Sequence, residues 1–295
     1  MSRNKRLNKG FSGVITGASS GIGKALAILL AKRHQAKLIL NARSLESLEE
    51  TCRLVKENGG EAIAVVGDLS NPILAATLVQ TCVDKFGDID LLVNNAGFAK
   101  PGPLTTLTPA DWEHVFAVNF FAPLHGTYAA IPHFLRKRSG RIVNISSVAS
   151  KVSFPGSVCY SASKFALTGM SEGMAAELGR MGIDVITACP GWVRTEFFKK
   201  NFVADAKNPT LIASKNDVPG LVMRHLLSMS SENCAKQIHE ALLKGGSAEL
   251  IMTAPGVAVE RLKALFPEAV GNLTKLIPIE HCDLVEVERS PARVE

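Results

Sequence analysis

Tyr160 and Lys164 stand four residues apart in Tyr160-Ser161-Ala162-Ser163-Lys164, and the run from Phe165 to Met170 continues a helical pattern. At that spacing two side chains lie one above the other on a single helix face. A phenol beside an ammonium has a chemical meaning. Free tyrosine titrates near about 10, so at neutral pH it is almost entirely in the wrong state to act as a base. A fixed positive charge nearby favours the phenolate, and lowering the pKa by roughly three units takes on the order of 4 kcal/mol. The same spacing also occurs wherever a tyrosine and a lysine are surface neighbours. The pair therefore gains meaning only from the elements that position it.

Phe11 to Thr16 is a short, largely apolar run that stops at Gly17-Ala18-Ser19-Ser20-Gly21-Ile22-Gly23, after which Lys24 to Lys32 reads as a helix. Strand, glycine turn and helix form the anatomy of a phosphate cradle. Glycine lets the backbone pass close to a pyrophosphate, and the helix N-terminus presents free N–H groups. The spacing is Gly-x-x-x-Gly-x-Gly, not the commoner Gly-x-Gly-x-x-Gly. A second strand, Lys37 to Leu40, ends at Asn41-Ala42-Arg43-Ser44, where an NAD-binding fold usually carries an acid for the ribose 2′-hydroxyl. Arg43 can pair instead with a 2′-phosphate, which favours NADP over NAD. The alternative is a solvated arginine at the start of a helix over 45–57.

A third strand, Glu61 to Val66, leads to Asp68, placed to accept from an adenine amino group or to cap the helix starting near Asn71-Pro72. A fourth, Asp90 to Val93, runs into Asn94-Asn95-Ala96-Gly97. Thr108 opens a long helix through Asn119 to about Arg138. Asn119 lies between Val118 and Phe120, and a buried asparagine must have its hydrogen bonds met, so structural duty ranks before water-holding. Gly140 to Ile145 is a fifth strand, ending at Ser146-Ser147. Asp184 to Ala188 is a sixth, stopping at Cys189-Pro190-Gly191-Trp192-Val193-Arg194-Thr195. This alternation predicts a parallel sheet with helices on both faces and ligands beyond the carboxyl ends of its strands.

Over 295 residues, 46% apolar and 20% charged, a sizeable core can form and disorder is not expected. The net charge of +6 suits an anionic small ligand or surface. Scattered basic residues and an aromatic content of 6% argue against nucleic acid. Cys52, Cys82, Cys159, Cys189, Cys234 and Cys282 stand singly, with no CxxC and no paired histidine. Reduced thiols are expected, not disulfides or a zinc site, and Cys159 reads as a small packed residue. Met1 to Gly10 is basic but lacks the apolar core of a signal peptide, and no apolar run approaches a membrane span. A cytoplasmic protein is the expectation.

Thr16-Gly17-x-x-x-Gly21-x-Gly23, Asn94-Asn95-Ala96-Gly97, Ser147, Tyr160-x-x-x-Lys164 and Pro190-Gly191 occur in the order and at the spacings of the classical short-chain dehydrogenase/reductase family. The chain resembles that family over roughly residues 10 to 196, and five motifs in register are specific. The resemblance implies an α/β fold, a Rossmann-like, doubly wound parallel sheet of seven strands in a single domain. It implies a tetrad of Asn119, Ser147, Tyr160 and Lys164. In it Tyr160 is general acid/base, Ser147 hydrogen-bonds the substrate oxygen, Lys164 holds the nicotinamide ribose and depresses the tyrosine pKa, and Asn119 fixes a relay water. Ser147, not Ser146, lies thirteen before the tyrosine as the family pattern requires.

The implied cofactor site comprises Gly17, Ser19, Ser20, Gly21, Ile22 and Gly23, with Arg43 for NADP and Asp68 and Leu69 at the adenine. Asn95, Ala96 and Gly97 join Tyr160 and Lys164 further along, and Pro190, Gly191, Val193 and Thr195 meet the nicotinamide amide and phosphates. Asn41-Ala42-Arg43-Ser44 looks like the NADP-preferring members, notably those similar to 11β-hydroxysteroid dehydrogenase. No metal is called for. The family also implies a homodimer or homotetramer.

A variable lid is expected over 196–227, where Phe197 and Phe198 either contact a hydrophobic carbonyl or alcohol substrate, lipid, steroid or acyl-like, or merely pack the lid helix. The domain is taken as 10–255, after a basic tail over 1–9. Beyond it, 256–295 is an extension whose apolar residues from Val257 to Leu276 recur at helical spacing, broken by Pro267. Its readings, in order, are a core-covering helix, a subunit contact and a peripheral membrane contact through 257–277. A non-catalytic dinucleotide-binding sensor or interaction protein on the same fold is the alternative to an enzyme; a sensor has no use for Tyr160.

Overall fold

The computed structural model describes residues 7–194 and 228–275. Its strands are β1 (Ser12–Thr16), β2 (Lys37–Ala42), β3 (Glu61–Val66), β4 (Leu91–Asn94), β5 (Gly140–Ile145), β6 (Ile183–Cys189), β7 (Trp192–Val193), β8 (Ser228–Met229) and β9 (Ala248–Ile251). Seven of them form a wholly parallel sheet in the order β3-β2-β1-β4-β5-β6-β9, while β7 and β8 pair apart from it. Every residue of β1 and β5 is buried. That is why neighbouring positions such as Val14 and Ile15 in β1, or Ile142 and Val143 in β5, are both apolar without alternation: a parallel sheet is covered on both faces.

The helices are α1 (Gly21–His34), α2 (Leu45–Glu57), α3 (Leu74–Phe86), α4 (Pro109–Phe116), α5 (Ala122–Lys137), α6 (Val158–Leu178), α7 (Ser231–Lys244), α8 (Ala254–Leu265) and α9 (Pro267–Lys275). Strand side chains alternate between two cores. Ile15, Leu38 and Leu40 pack with Leu26 and Leu30 of α1, Leu48 of α2 and Ile238 of α7. Val14, Ile39 and Leu92 pack on the other face with Leu78 and Val79 of α3 and Phe134 of α5. Each such aliphatic burial contributes about 1.5–3 kcal/mol before chain entropy is charged against it. β1 pairs with β2 on one side and β4 on the other, so the sheet order reverses there and the loops beyond β1 and β4 part to leave a crevice.

The long helix expected after Thr108 is wound in three pieces. Thr108 and Asp111 form a capping box with Pro109 at the first helical position, and α4 follows. Ala117–Phe121 then forms a π-helical turn before α5 begins. Asn119 sits in that wide turn with no exposed surface. The extension departs from its first expected reading. Pro267 does divide it, into α8 and α9, but only Gly256 of the two helices is buried, and Leu262, Leu265, Phe266 and Leu273 stand exposed. The described part of the segment, 256–275, therefore does not cover the core. No helix among the described residues is long and apolar enough to cross a membrane.

Candidate active site

The glycine turn is held by side chains from the next crossing of the sheet. Thr16 Oγ1 accepts from the Asn95 and Ala96 main-chain N–H groups, each at 3.0 Å, and donates to the Val93 carbonyl. Asn95 Nδ2 donates in return to the Thr16 and Gly17 carbonyls at 2.8 and 3.0 Å. Gly17 has φ +63°, and a Cβ there would lie 2.9 Å from the Ala96 Cα. A Cβ on Gly23 would lie 2.6 Å from both Asn95 Nδ2 and the Gly17 carbonyl oxygen. Glycine is thus required at both places by the approach of two backbone segments.

These residues fit a dinucleotide. A cleft of about 550 Å³ runs along the carboxyl ends of the strands from Gly17 past Ala96 and Tyr160 to Pro190. α1 begins at its wall, where Ser20 makes no side-chain cap and the first turn carries no acid. Its leading N–H groups are left for an anion, such as a phosphate.

At one end, Arg43 NH1 and Asp68 Oδ2 lie 3.7 Å apart on the rim, both substantially exposed. Asp68 Oδ1 accepts from the Ser70 N–H at 2.9 Å, so the capping role is present, while Asp68 also lines the cleft. Burial works to raise its carboxyl, but the Ser70 hydrogen bonds and the charges of Arg43 and His114 prevail and hold it below the usual range. Asn41 is committed elsewhere: its Nδ2 donates to the Val65 and Gly67 carbonyls.

At the other end stand the residues with proton chemistry. Ser147 is extended at φ −166°, accepts from the Ala149 N–H at 3.0 Å and lines the cleft together with the Tyr160 phenol. Its neighbour Ser146 turns into the protein, bonding Thr168 Oγ1 and the Lys164 carbonyl. Lys164 Nζ donates to the Ile145 carbonyl at 2.9 Å and lies 5.8 Å from the Tyr160 ring centroid. Burial pushes the phenol up to about 12, against the nearby Ser147 hydroxyl, and pushes the ammonium down to about 8. The expectation from sequence was a phenol lowered by its lysine. Here desolvation of the charged forms outweighs their attraction.

Asn119 lies behind the wall. Its Oδ1 accepts from the Phe98 N–H, and its Nδ2 donates to the Phe98 carbonyl and to Ser163 Oγ, all within 3.0 Å. Ser163 Oγ donates in turn to the Tyr160 carbonyl at 2.7 Å. One asparagine therefore ties the loop beyond β4 to the first turn of α6. Gly23 also lies behind the lining, whereas Ser19, Gly21, Ile22, Leu69, Gly97, Gly191 and Val193 all face the cleft. Thr195, Phe197 and Phe198 lie outside the described residues.

Sequence reasoning missed Ser163, which had no pattern to mark it, and several cleft residues. Phe154 and Trp192 form one wall, with ring centroids 6.5 Å apart, and Phe98 and His114 another, at 4.8 Å. A tryptophan directly after Pro190-Gly191 was a usable signal. Cys159, adjacent to the tyrosine, is fully buried with its thiol raised to about 11, which suits a packed residue.

The model of the short chain dehydrogenase family matches residues 13–206. The ketoacyl reductase HetN of Nostoc is 34% identical over 233 residues, 78% of this chain and 81% of its own. A crystal structure of a short chain dehydrogenase/reductase from Burkholderia phymatum in complex with NAD superposes with TM-score 0.76 at 28% identity, covering 89% of this chain and 96% of that one. A metagenomic short-chain oxidoreductase in complex with NADP gives 0.66 at 29% identity, over 83% and 98% of the two chains. This chain belongs to the short chain dehydrogenase family and is an oxidoreductase.

Proposed function

We propose that the protein is an NADP(H)-dependent reductase of hydrophobic carbonyl compounds, with Tyr160 as its proton donor, Ser147 as the second donor to the substrate oxygen, and Lys164 as the ribose ligand. The observation that carries this reading is that Ser147, Tyr160 and Lys164 line one cleft, with Lys164 one turn along α6 and its Nζ 5.8 Å from the Tyr160 ring centroid. When bound, the nicotinamide supplies or accepts the hydride. As charge grows on the substrate oxygen, the Ser147 and Tyr160 hydroxyls are placed to donate to it. A phenol raised to about 12 is fully protonated at neutral pH. That is the state an acid needs, so reduction is the favoured direction. Asn119 keeps Tyr160 in place through Ser163. The Asn119 side chain is fully committed to protein partners, so any water-holding role falls to other atoms of that turn.

Arg43 supports NADP: among the described residues its charged partner is Asp68, 3.7 Å away, at the end of the cleft where an adenosine ribose belongs, and its own position carries a base where an NAD-binding fold usually carries an acid. Lys164 and the α1 N-terminus supply the remaining positive character. Phe98, Phe154 and Trp192 support an apolar substrate, and the ketoacyl reductase among the relatives is consistent with an oxoacyl compound. We take 10–255 as the catalytic domain, 196–227 as its lid and 256–295 as an appended segment. Exposed Phe121, Tyr128 and Leu135 of the α5 region and Phe165 of α6 support self-association through these helices.

The test is NADPH oxidation, followed by absorbance, against a panel of oxoacyl, steroid and aliphatic ketones. Turnover of at least one of them, lost in Tyr160→Phe with NADPH binding retained, is the expected result. Full activity in Tyr160→Phe removes the mechanism.

A further inference from the structure

His34 closes α1 and His239 lies in the middle of α7, and these two helices pack against each other on the face of the sheet that carries α1. Their Nε2 atoms are 2.8 Å apart, with ring centroids at 5.1 Å and planes inclined by 59°. Both rings are half-buried. One ring donates its Nε2–H into the Nε2 lone pair of the other, so the two Nε2 atoms face one point between the helices. A neutral imidazole ligates metal through such a nitrogen.

We propose that His34 and His239 form a two-imidazole site for a borderline divalent transition-metal ion, Zn²⁺, Ni²⁺ or Cu²⁺, that clamps α1 to α7. An ion with bonds of about 2.0–2.1 Å to nitrogen places neighbouring ligands roughly 3.0–3.4 Å apart, so the rings need part by only about half an ångström. On binding, the proton shared between the rings moves from Nε2 to Nδ1 of the ring that carries it, each ring gives one lone pair, and no proton is released while both rings are neutral. Burial and Arg33 hold both rings below the ordinary histidine pKa, which keeps those lone pairs available at neutral pH. Arg33 and Arg141 oppose an added cation at this place, and Glu240 favours it. No group of three or more histidine, cysteine or acidic side chains among the described residues is placed to hold a metal ion. Water must then complete the ion's shell, which makes this a weaker site than a closed four-ligand one. Imidazole selects these ions over Mg²⁺, which prefers oxygen. The site is remote from the cleft: the glycine turn is at the opposite end of α1, about 20 Å away. Nothing in the proposed reduction uses it.

The test is thermal unfolding and calorimetric titration of the full-length chain, without an affinity tag, in Zn²⁺, Ni²⁺ or Mg²⁺. Wild type should bind one Zn²⁺ or Ni²⁺ through this pair and gain about 5 °C in Tm at an ion concentration 100-fold above Kd. Mg²⁺ should do neither, and His34→Gln and His239→Gln should each abolish the gain. Absence of binding, or a gain that persists in either variant, overturns the site. If a variant does not fold, electron paramagnetic resonance of Cu²⁺-loaded wild type decides. Coupling to two imidazole nitrogens supports the site, and any other donor set overturns it.

Discussion

The ammonium of Lys164 is turned from the Tyr160 ring toward the Ile145 carbonyl: Nζ donates to that oxygen at 2.9 Å and stands 5.8 Å from the ring centroid. Only 3% of Lys164 is exposed, and its pKa falls from the ordinary 10.5 to about 8, mainly through burial. The folded state thus holds a charge that the unfolded chain would keep more comfortably in water.

That relationship predicts a trade of stability against activity. The folded pKa lies below the unfolded one, so the cost of holding the charge is complete below about pH 8 and fades as pH rises toward 10.5. A shift of this size corresponds to on the order of 3 kcal/mol, reduced by the loss of a partner for the Ile145 carbonyl. Lys164→Met should therefore be inactive yet more stable than wild type by about 1–2 kcal/mol at pH 7 in urea unfolding, with the gap closing near pH 10. A variant less stable at pH 7 would show that the ammonium is not strained by burial.

The raised phenol of Tyr160 sets the pH dependence of the two directions. Reduction needs the protonated form and should stay level through neutral pH, declining only as the phenol ionises. Alcohol oxidation needs the phenolate and should climb with pH across the same range. Initial rates in both directions from pH 6 to 10 measure this; an oxidation rate that falls with pH contradicts the assignment of Tyr160.

Arg43 at the rim of the cleft should read the 2′-phosphate. A charge-assisted contact is worth about 1.5–3 kcal/mol, so Arg43→Asp should weaken NADPH by roughly 10–100-fold while changing NADH little. Fluorescence titration with both dinucleotides gives the comparison. Equal losses would place the discrimination elsewhere.

Asn119→Leu should cost about 2–4 kcal/mol, because it strands the Phe98 N–H and carbonyl as well as Ser163 Oγ in a site with no exposed surface. It should also lower turnover by loosening Tyr160 through Ser163. Equilibrium unfolding and kcat measured on the same preparation test both parts. Unchanged stability would mean that these bonds are replaced by others.

What could be read beforehand was what is encoded locally. The strand from Ser12 to Thr16 and the turn from Gly17 to Gly23 announce themselves through apolar runs and glycine spacing, and Pro109 and Asp111 mark a helix start. Ser163, the Ile145 carbonyl and the neighbours His114 and Trp192 act through contacts made only when distant segments meet. No periodicity carries that information. The phenol's direction of shift was missed for a related reason: one-turn spacing says where a lysine stands, but not that its ammonium will choose a carbonyl or how little water remains.

The wide turn at Ala117–Phe121 carries one residue more than an ordinary α-helical turn needs. Deleting a single residue there would let the segment relax into an unbroken α-helix, locally the better structure. It would also swing everything on one side of the cut by about 100° relative to the other, parting Asn119 from Phe98 or α5 from its seat on α3. The irregular winding is thus a phase adjuster. It lets a single rod serve two differently oriented docking faces, and a sequence edited for helical regularity at this point would gain a better rod and lose the enzyme.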